Sequence, residues 1–450
     1  MRQKRSAAAA ERPVAAVPTA RDVAAAVLVR VTREGAYAAA ALNAELARYP
    51  QLDPRERSLA TELVYGPLRT QGALLERLNE LASRGVAGGD ALVTVHLLVA
   101  AYQVLLLDRI PAFAAVDAAV TALRAARGSR VAGFANALLR RLAQGPRLDL
   151  TVAVWTSAPG WLRQRLEQAV SREEAFALLG AGSGGDPDRG LSGGERSVRL
   201  TRHAQVPDWL EAAPPGRVAP SARRVSRGGD LRGRPGWQSG AFVIQEEGSQ
   251  VVAHAVGARP GERILDACAG HGQKASLLAE QVGETGELWV ADLHPAKLDA
   301  LASEFARLGL APPHAAALDW TAGSGSVPGG FDRVLVDAPC TGVGTLRHRP
   351  EITLRLQPED PARLGALAVR IVRRVATRLR PGGRLVFAVC SVLPEECERV
   401  VAEVGDLLQP EPFDAPLLAE GLAAGQASLR LLPLRHGTDG YFIASFRRPE

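Results

Sequence analysis

Apolar residues recur at helical spacing through the first third of the chain. Residues 21–33, 54–68, 74–83, 90–107, 114–126 and 131–142 carry them at intervals of three and four, which predicts six helices. Gly35, Pro50, the glycine-bearing stretch 85–89, Pro111 and Gly128 fall between these segments as breakers. No segment there alternates with a period of two, so residues 20–145 read as an independent all-helical domain. The pattern weakens from 146 to 240. Residues 161–179 predict a helical pair, 196–200 one strand of a small subdomain, and 180–187 and 213–236 flexible connections. From Gly261 strand and helix alternate. Strands are expected at 263–267, 288–291, 314–318, 332–336 and 384–388, with helices from Lys274 and over 295–308, the grammar of a mostly parallel, doubly wound sheet. Residues 429–434 and 441–447 have no helical segment between them and predict a closing antiparallel pair.

The chain is therefore multi-domain. A tail (1–19) precedes the all-α domain (20–145); a connecting region or small subdomain (146–240) leads to an α/β Rossmann-like domain (241–450). Hydrophobic residues make up 47% of the 450 and charged residues 23%, the balance of a globular protein. The most apolar stretch, 91–107, is interrupted by Thr94, His96 and Gln103 and reads as a buried helix, so no membrane partner is expected. The basic, alanine-rich start imitates a leader, but Glu11-Arg12-Pro13 interrupts it, and the tail is read as disordered on a cytoplasmic protein.

A net charge of +6 suits a polyanionic partner. Charge alone changes the picture little, because lysine occurs only at Lys4, Lys274 and Lys297 while arginine is used throughout. That bias makes Lys274 conspicuous. The four cysteines, Cys268, Cys340, Cys390 and Cys397, form no C-x-x-C pair, and no histidines stand at zinc-finger spacing, so neither a metal site nor a disulfide framework is expected.

Open parallel sheets bind ligands beyond the carboxyl ends of their strands. There this chain places Cys268-Ala-Gly-His-Gly-Gln-Lys274, Asp292, Asp319, Asp337-Ala-Pro-Cys340 and Cys390-Ser391. The turn Gly270-His-Gly-Gln-Lys-Ala275 fits a dinucleotide or an S-adenosylmethionine site equally well. Asp292 is placed to hold ribose hydroxyls, although a lone aspartate after a strand also commonly caps a helix. One strand-end cysteine is ordinarily a small buried hydrophobe. Two on neighbouring strands point to covalent chemistry. Carbon 5 of cytosine is a poor nucleophile until a thiolate adds to carbon 6, after which it can attack a sulfonium methyl. An acid near ring nitrogen 3 assists the addition, and Asp337 is three residues from Cys340.

Asp266-Ala-Cys-Ala-Gly-His-Gly-Gln-Lys274, Val336-Asp-Ala-Pro-Cys-Thr-Gly-Val-Gly344, Val389-Cys-Ser-Val-Leu-Pro-Glu-Glu396 and Asp439-Gly-Tyr-Phe442 resemble the signature blocks of RsmB-type RNA cytosine-5 methyltransferases. In the front part, Asp108-Arg-Ile-Pro111, Ala115-Val-Asp-Ala-Ala-Val120 and Gly133-Phe-Ala-Asn-Ala-Leu-Leu-Arg-Arg141 resemble the NusB-like RNA-binding domain of that family. The resemblance implies a class I methyltransferase fold behind a NusB-like domain, S-adenosylmethionine as cofactor and 16S rRNA as substrate, with a monomer expected. It implies that Cys268, Ala269, Gly270, His271, Gly272, Gln273 and Lys274 line the cofactor site, with Asp292 at the ribose, Asp319 near the adenine and Asp337 beside the methyl group and the base. It implies Cys390 as nucleophile and Cys340 as the residue of product release. DNA cytosine methyltransferases use the Pro-Cys cysteine instead, so spacing cannot make that choice. His271, Gln273 and Ala275 depart from the family's Pro, Gly and Thr, and Cys397 stands where asparagine is usual and reads as a helix-surface or packing residue. Two rival readings remain: an NAD-dependent oxidoreductase, which leaves both cysteines unused, and an RNA-binding or ribosome-assembly protein whose enzyme half has decayed.

Overall fold

The computed structural model describes residues 18–450 apart from 83–84, 87–88, 182–194, 203, 227–228, 414–421 and 424. The predicted tail lies outside these residues except for positions 18 and 19, as does most of the connection expected at 180–187.

The front domain is a bundle of α1 (Ala20–Arg33), α2 (Ala38–Ala47), α3 (Pro54–Leu81), α4 (Ala91–Leu106), α5 (Ala112–Arg127) and α6 (Ser129–Gln144) around one apolar core. Local chemistry sets several starts. Thr19 and Asp22 form a capping box on α1, and the carboxylates of Asp53 and Asp90 accept from the first turns of α3 and α4. Two features depart from the apolar pattern. Helix α2 is alanine-rich and has no side-chain cap, so nothing in its sequence announces it. The helices expected at 54–68 and 74–83 are one continuous α3. The pattern breaks at Arg69 and Thr70, yet both are buried and hydrogen-bonded: Thr70 donates back to the Gly66 carbonyl and Arg69 through Nη2 to a carbonyl of the other domain.

Helices α7 (Leu150–Ser157), α8 (Gly160–Ala169) and α9 (Arg172–Leu178) follow, the last two being the expected pair. Their apolar faces share a core with Val343, Leu346, Val392 and Leu393, which flank the two cysteine loops described below. A small antiparallel sheet then forms from β1 (Glu195–Leu200), β2 (Ala222–Ser226) and β3 (Phe242–Val243), ordered β2-β1-β3 and joined by the short α10 (Asp208–Glu211). The segment 213–236, expected as a flexible connection, is largely part of this unit. Val198, Leu210, Val225, Leu231 and Phe242 bury one another at irregular intervals, with Trp209 and Trp237 beside them, so no local period reveals the core they make.

Among the described residues the catalytic half is one sheet, ordered β10-β11-β8-β7-β4-β5-β6 with β9 on β11. Its strands are β4 (Arg263–Asp266), β5 (Glu287–Asp292), β6 (His314–Ala317), β7 (Phe331–Asp337), β8 (Leu379–Val389), β9 (Gln409–Pro410), β10 (Ser428–Leu431) and β11 (Tyr441–Arg447). The strands β4–β8 pair in parallel; β11 is antiparallel to β8 and to β10, which is the predicted closing pair. Side chains alternate between two cores. Ile264 and Leu335 face α11 (Glu247–Ala255), α12 (Gln273–Val282) and α13 (Pro295–Leu308), while Leu265, Val334 and Val336 face α14 (Asp360–Ala376) and α15 (Glu398–Glu403). The short α16 (Pro433–His436) lies between β10 and β11. From β4 the chain winds one way to β5 and β6, then crosses back to β7 and β8 on the other side, so the switch point lies between β4 and β7.

Candidate active site

The turn after β4 is held by backbone contacts. Ala269 N–H donates to the Ala291 carbonyl (2.9 Å), Gly270 N–H to Asp292 Oδ2 (3.1 Å) and Gly272 N–H to the Ala269 carbonyl (3.0 Å). Gly270 has φ +55° and open space where a Cβ would stand; Gly272 has φ +83°, and a Cβ there would lie 2.5 Å from Leu301 Cγ. The result is a bare backbone cradle at the N-terminus of α12. Asp292, nearly buried at the end of β5, accepts from His294 N–H through its other oxygen (2.9 Å), and Lys297 Nζ is 3.4 Å away. It therefore caps the next helix and braces the glycine turn at once. Each of its oxygens keeps a further lone pair for a ligand.

The remaining cofactor candidates differ in their use. His271 is exposed on the turn, and the exposed Gln273 spends its amide on the Ile244 carbonyl (2.8 Å). Asp319 is exposed beyond β6; its side chain and backbone bonds to Thr321 hold it below the usual carboxylate range. The neighbouring Trp320 donates to the Ala267 carbonyl (2.7 Å), which ties that loop to the start of the glycine turn. Burial pushes the Cys268 thiol well up, and the carboxylates around it add to the shift.

Across the switch point Lys274 Nζ meets Asp337 Oδ2 at 2.6 Å. Burial disfavours the ammonium, but the attraction and hydrogen bond of Asp337 outweigh it and raise the lysine above its ordinary value. Asp337 thus does not stand alone as an acid. The two residues form one hydrogen-bonded unit.

Cys340 and Cys390, fifty residues apart, bring their sulfurs to 3.4 Å at the ends of β7 and β8. The hydrogen bond with Cys390 and burial both push the Cys340 thiol well above its usual range, so Cys340 is held protonated. One residue joins the two loops. Glu396 accepts from Thr341 N–H (2.6 Å) and Thr341 Oγ1 (2.6 Å), next to Cys340, and from Ser391 Oγ (2.5 Å), next to Cys390. Gly344 N–H donates to the Cys390 carbonyl (3.0 Å), and any Cβ on Gly344 would strike the Gly440 carbonyl at 1.9 Å. Asp439 locks this corner by accepting from Arg347 Nε (2.6 Å), while its N–H donates to Glu246 (2.9 Å). Burial opposes the charge of Asp439, yet His348 and Arg347 hold it well below the carboxylate range; Glu246, buried beside that charge, is pushed up to about 8.

Sequence reading missed Glu396, Glu246 and Asp439 as site residues. Glu396 and Asp439 do lie inside the recognised blocks, and the Pro-Glu-Glu run was the available signal. Cys397 is fully buried with its thiol toward the Ser391 carbonyl (3.6 Å), the packing role expected of it.

Comparison with known proteins decides among the readings. The model of the family described as 16S rRNA methyltransferase RsmB/F matches residues 253–447, and that of the NusB family matches residues 18–144. The chain is 30% identical to the ribosomal RNA small subunit methyltransferase B of Salmonella arizonae, over 87% of this chain and 90% of that protein. The chain belongs to the RsmB/F family. It is an S-adenosylmethionine-dependent methyltransferase, with an all-α NusB domain in front of a Rossmann-like class I domain. Another member, named "Probable ribosomal RNA small subunit methyltransferase B" in Bacillus subtilis, is 29% identical over 95% of this chain and 98% of its own. The crystal structure of PH0851 has the same fold at a TM-score of 0.79 with 20% identity, covering 96% of this chain and 99% of that one. Within the family, the oxidoreductase reading falls.

Proposed function

We propose that this protein transfers a methyl group from S-adenosylmethionine to carbon 5 of a cytosine in 16S rRNA, acting as a cytoplasmic monomer through a covalent adduct on Cys390. The observation that carries the reading is the meeting of two cysteines from different strand ends, 3.4 Å apart and fixed by the shared carboxylate of Glu396. A decayed enzyme has no reason to keep such a pair braced from both sides.

The residues of the cradle fit the cofactor. The backbone at Gly270 stands open, and Asp292 offers acceptor oxygens beside it. When bound, S-adenosylmethionine supplies an electrophilic methyl group. Cys390 adds through sulfur to carbon 6 of the base, which places electron density on carbon 5 for attack on that methyl. The Lys274–Asp337 pair supports this reading by offering a donor and an acceptor of the kind that the base's ring nitrogen 3 and amino group require. A water base then takes the carbon 5 proton, the electron pair of that C–H bond forms the carbon 5–carbon 6 double bond, and the sulfur–carbon 6 bond breaks to return the methylated base and free Cys390. Cys340, with its sulfur 3.4 Å from that of Cys390, can donate its thiol proton to the departing Cys390 sulfur in this last step. The exposed Arg124, Arg130 and Arg140 of the front domain supply positive charge for phosphates.

The test is a denaturing gel after incubation with a 16S rRNA transcript and cofactor. Cys340→Ala should trap an RNA adduct, and Cys390→Ala should form none. A shifted band with Cys390→Ala and none with Cys340→Ala would reverse the two roles.

A further inference from the structure

Twelve residues, 340 to 351, carry the chain from Cys340 to the surface of the front domain, and that surface grips them. Arg69, buried midway along α3, donates through Nη2 to the Arg347 carbonyl at 2.5 Å. Arg347 in turn holds Asp439, whose neighbour Gly440 donates to the Gly344 carbonyl at 2.8 Å; Gly344 itself is hydrogen-bonded to Cys390. Four residues beyond Arg347, the buried Glu351 accepts from Ala38 N–H at the start of α2 (3.3 Å). Outside these, Arg349 and Arg355 place their guanidinium carbons 5.1 Å from the ring centre of Tyr37, between α1 and α2, and Arg355 donates to the Ala36 carbonyl.

We propose that the NusB domain positions Cys340 for turnover, with Arg69 as the positioning residue, in addition to any contact the domain makes with RNA. This rests on the release role given to Cys340 above. A domain serving only to tether RNA could be attached by an apolar face or a linker. Here it buries a guanidinium, an arrangement that costs desolvation and is poorly suited to affinity. What a buried charge with a directional acceptor does provide is geometry, since the bond weakens steeply once the acceptor moves out of line or beyond about 3.2 Å. Burial lowers the pKa of Arg69, and the neighbouring Glu62, Tyr102 and Glu351 oppose that and keep it cationic. The acceptor is a backbone carbonyl of the Cys340 loop, so the front domain specifies where the loop lies. Removing the grip lets the loop shift and separates Cys340 from the adduct on Cys390, while the surfaces that meet RNA stay in place.

The experiment uses the full-length chain with a 16S rRNA transcript, measuring kcat, KM for RNA and the fraction of RNA in an adduct stable to denaturation. Folding is checked by circular dichroism and thermal melting. Arg69→Met should lower kcat about tenfold or more, leave KM within about twofold, and accumulate adduct as Cys340→Ala does. Arg69→Lys should recover part of the rate. Tyr37→Ala removes a half-exposed ring on which the fold does not depend, and should give the same split at smaller size even if Arg69→Met fails to fold. A rise in KM with kcat unchanged in both variants, or a fall in kcat without adduct, overturns the proposal. An adduct in Cys340→Ala that neither variant shows overturns it alone; no adduct in Cys340→Ala overturns the release role on which it rests.

Discussion

Lys274 Nζ lies 2.6 Å from Asp337 Oδ2, and this ion pair joins the first turn of α12, which follows β4, to the end of β7 at the point where the order of strands reverses. A lysine in the first turn of a helix stands at the wrong end of the helix dipole. Asp337 supplies the compensation, and in an arginine-rich chain the choice of lysine is explained by shape. An ammonium is a compact charge that fits between one carboxylate and a planar base, whereas guanidinium needs a flat fork of acceptors.

Lys274→Arg is therefore expected to fold normally and bind S-adenosylmethionine with little loss, yet to lower the rate of methyl transfer by about tenfold or more. Single-turnover transfer of a labelled methyl group to RNA, set beside equilibrium cofactor binding, separates the two effects. A wild-type rate would mean that any positive charge suffices.

The two glycines of the cradle should respond unequally. Gly270→Ala meets open space and bears only the strain of a positive φ, about 1 kcal/mol. Gly272→Ala bears the same strain and drives a methyl group into Leu301, 2.5 Å from its Cγ. Urea unfolding should rank Gly272→Ala well below Gly270→Ala in stability, whereas cofactor titration should show the loss in Gly270→Ala, whose methyl enters the open space of the cradle.

Asp266, buried beneath the turn, is held up at about 7 by burial and by Asp337, with Lys274 opposing. The sign follows directly. Between about pH 4 and 7 the folded chain keeps this proton and the unfolded chain has lost it, so the stabilisation is complete below the ordinary carboxylate range and is lost as pH rises to 7. From pH 5 to 8 the wild type should lose on the order of 2–3 kcal/mol more than Asp266→Asn, as read from urea midpoints. Other titrating groups, such as His254, lowered to about 4 by burial, cancel in the difference. Equal losses in the two proteins would show that Asp266 titrates normally.

Arg199 of the small sheet is fully buried, donating to Glu280 Oε1 (2.8 Å), Ser276 Oγ (2.8 Å) and Gln245 Oε1 (3.0 Å). It anchors that sheet to α12, the helix that begins at the cofactor turn. Arg199→Met leaves Glu280 buried without its cation and should cost about 3–5 kcal/mol in urea unfolding. Adding Glu280→Leu should restore much of this, because the pair's desolvation is then no longer incurred. A double variant as unstable as the single one would show that shape, not charge, is what Arg199 contributes.

The sequence alone determined the helical front domain, the alternating strands and helices behind it, and which residues stand at the strand ends. The parallel strands inside the sheet are buried on both faces and therefore read as short apolar runs, and the residues just past the strand ends are the ones a ligand meets. Hence 295–308 was predicted to the residue as α13, and Cys340, Cys390, Asp337 and Lys274 were picked out before any contact between them was known. The tertiary structure decided whatever depends on a polar group having a distant partner. Arg69, Thr70, Glu396, Glu246 and Arg199 all look like solvent-facing residues to a local pattern. Each is buried or nearly so, because a hydrogen-bond partner or a counter-charge lies beside it, and for all but Thr70 at least one such partner belongs to an element remote in sequence or to the other domain. Hydrophobic period reports only which residues avoid water when the neighbours are local. A charge can avoid water as well, but only where the fold delivers its partner, and that pairing is written in no single stretch of the chain.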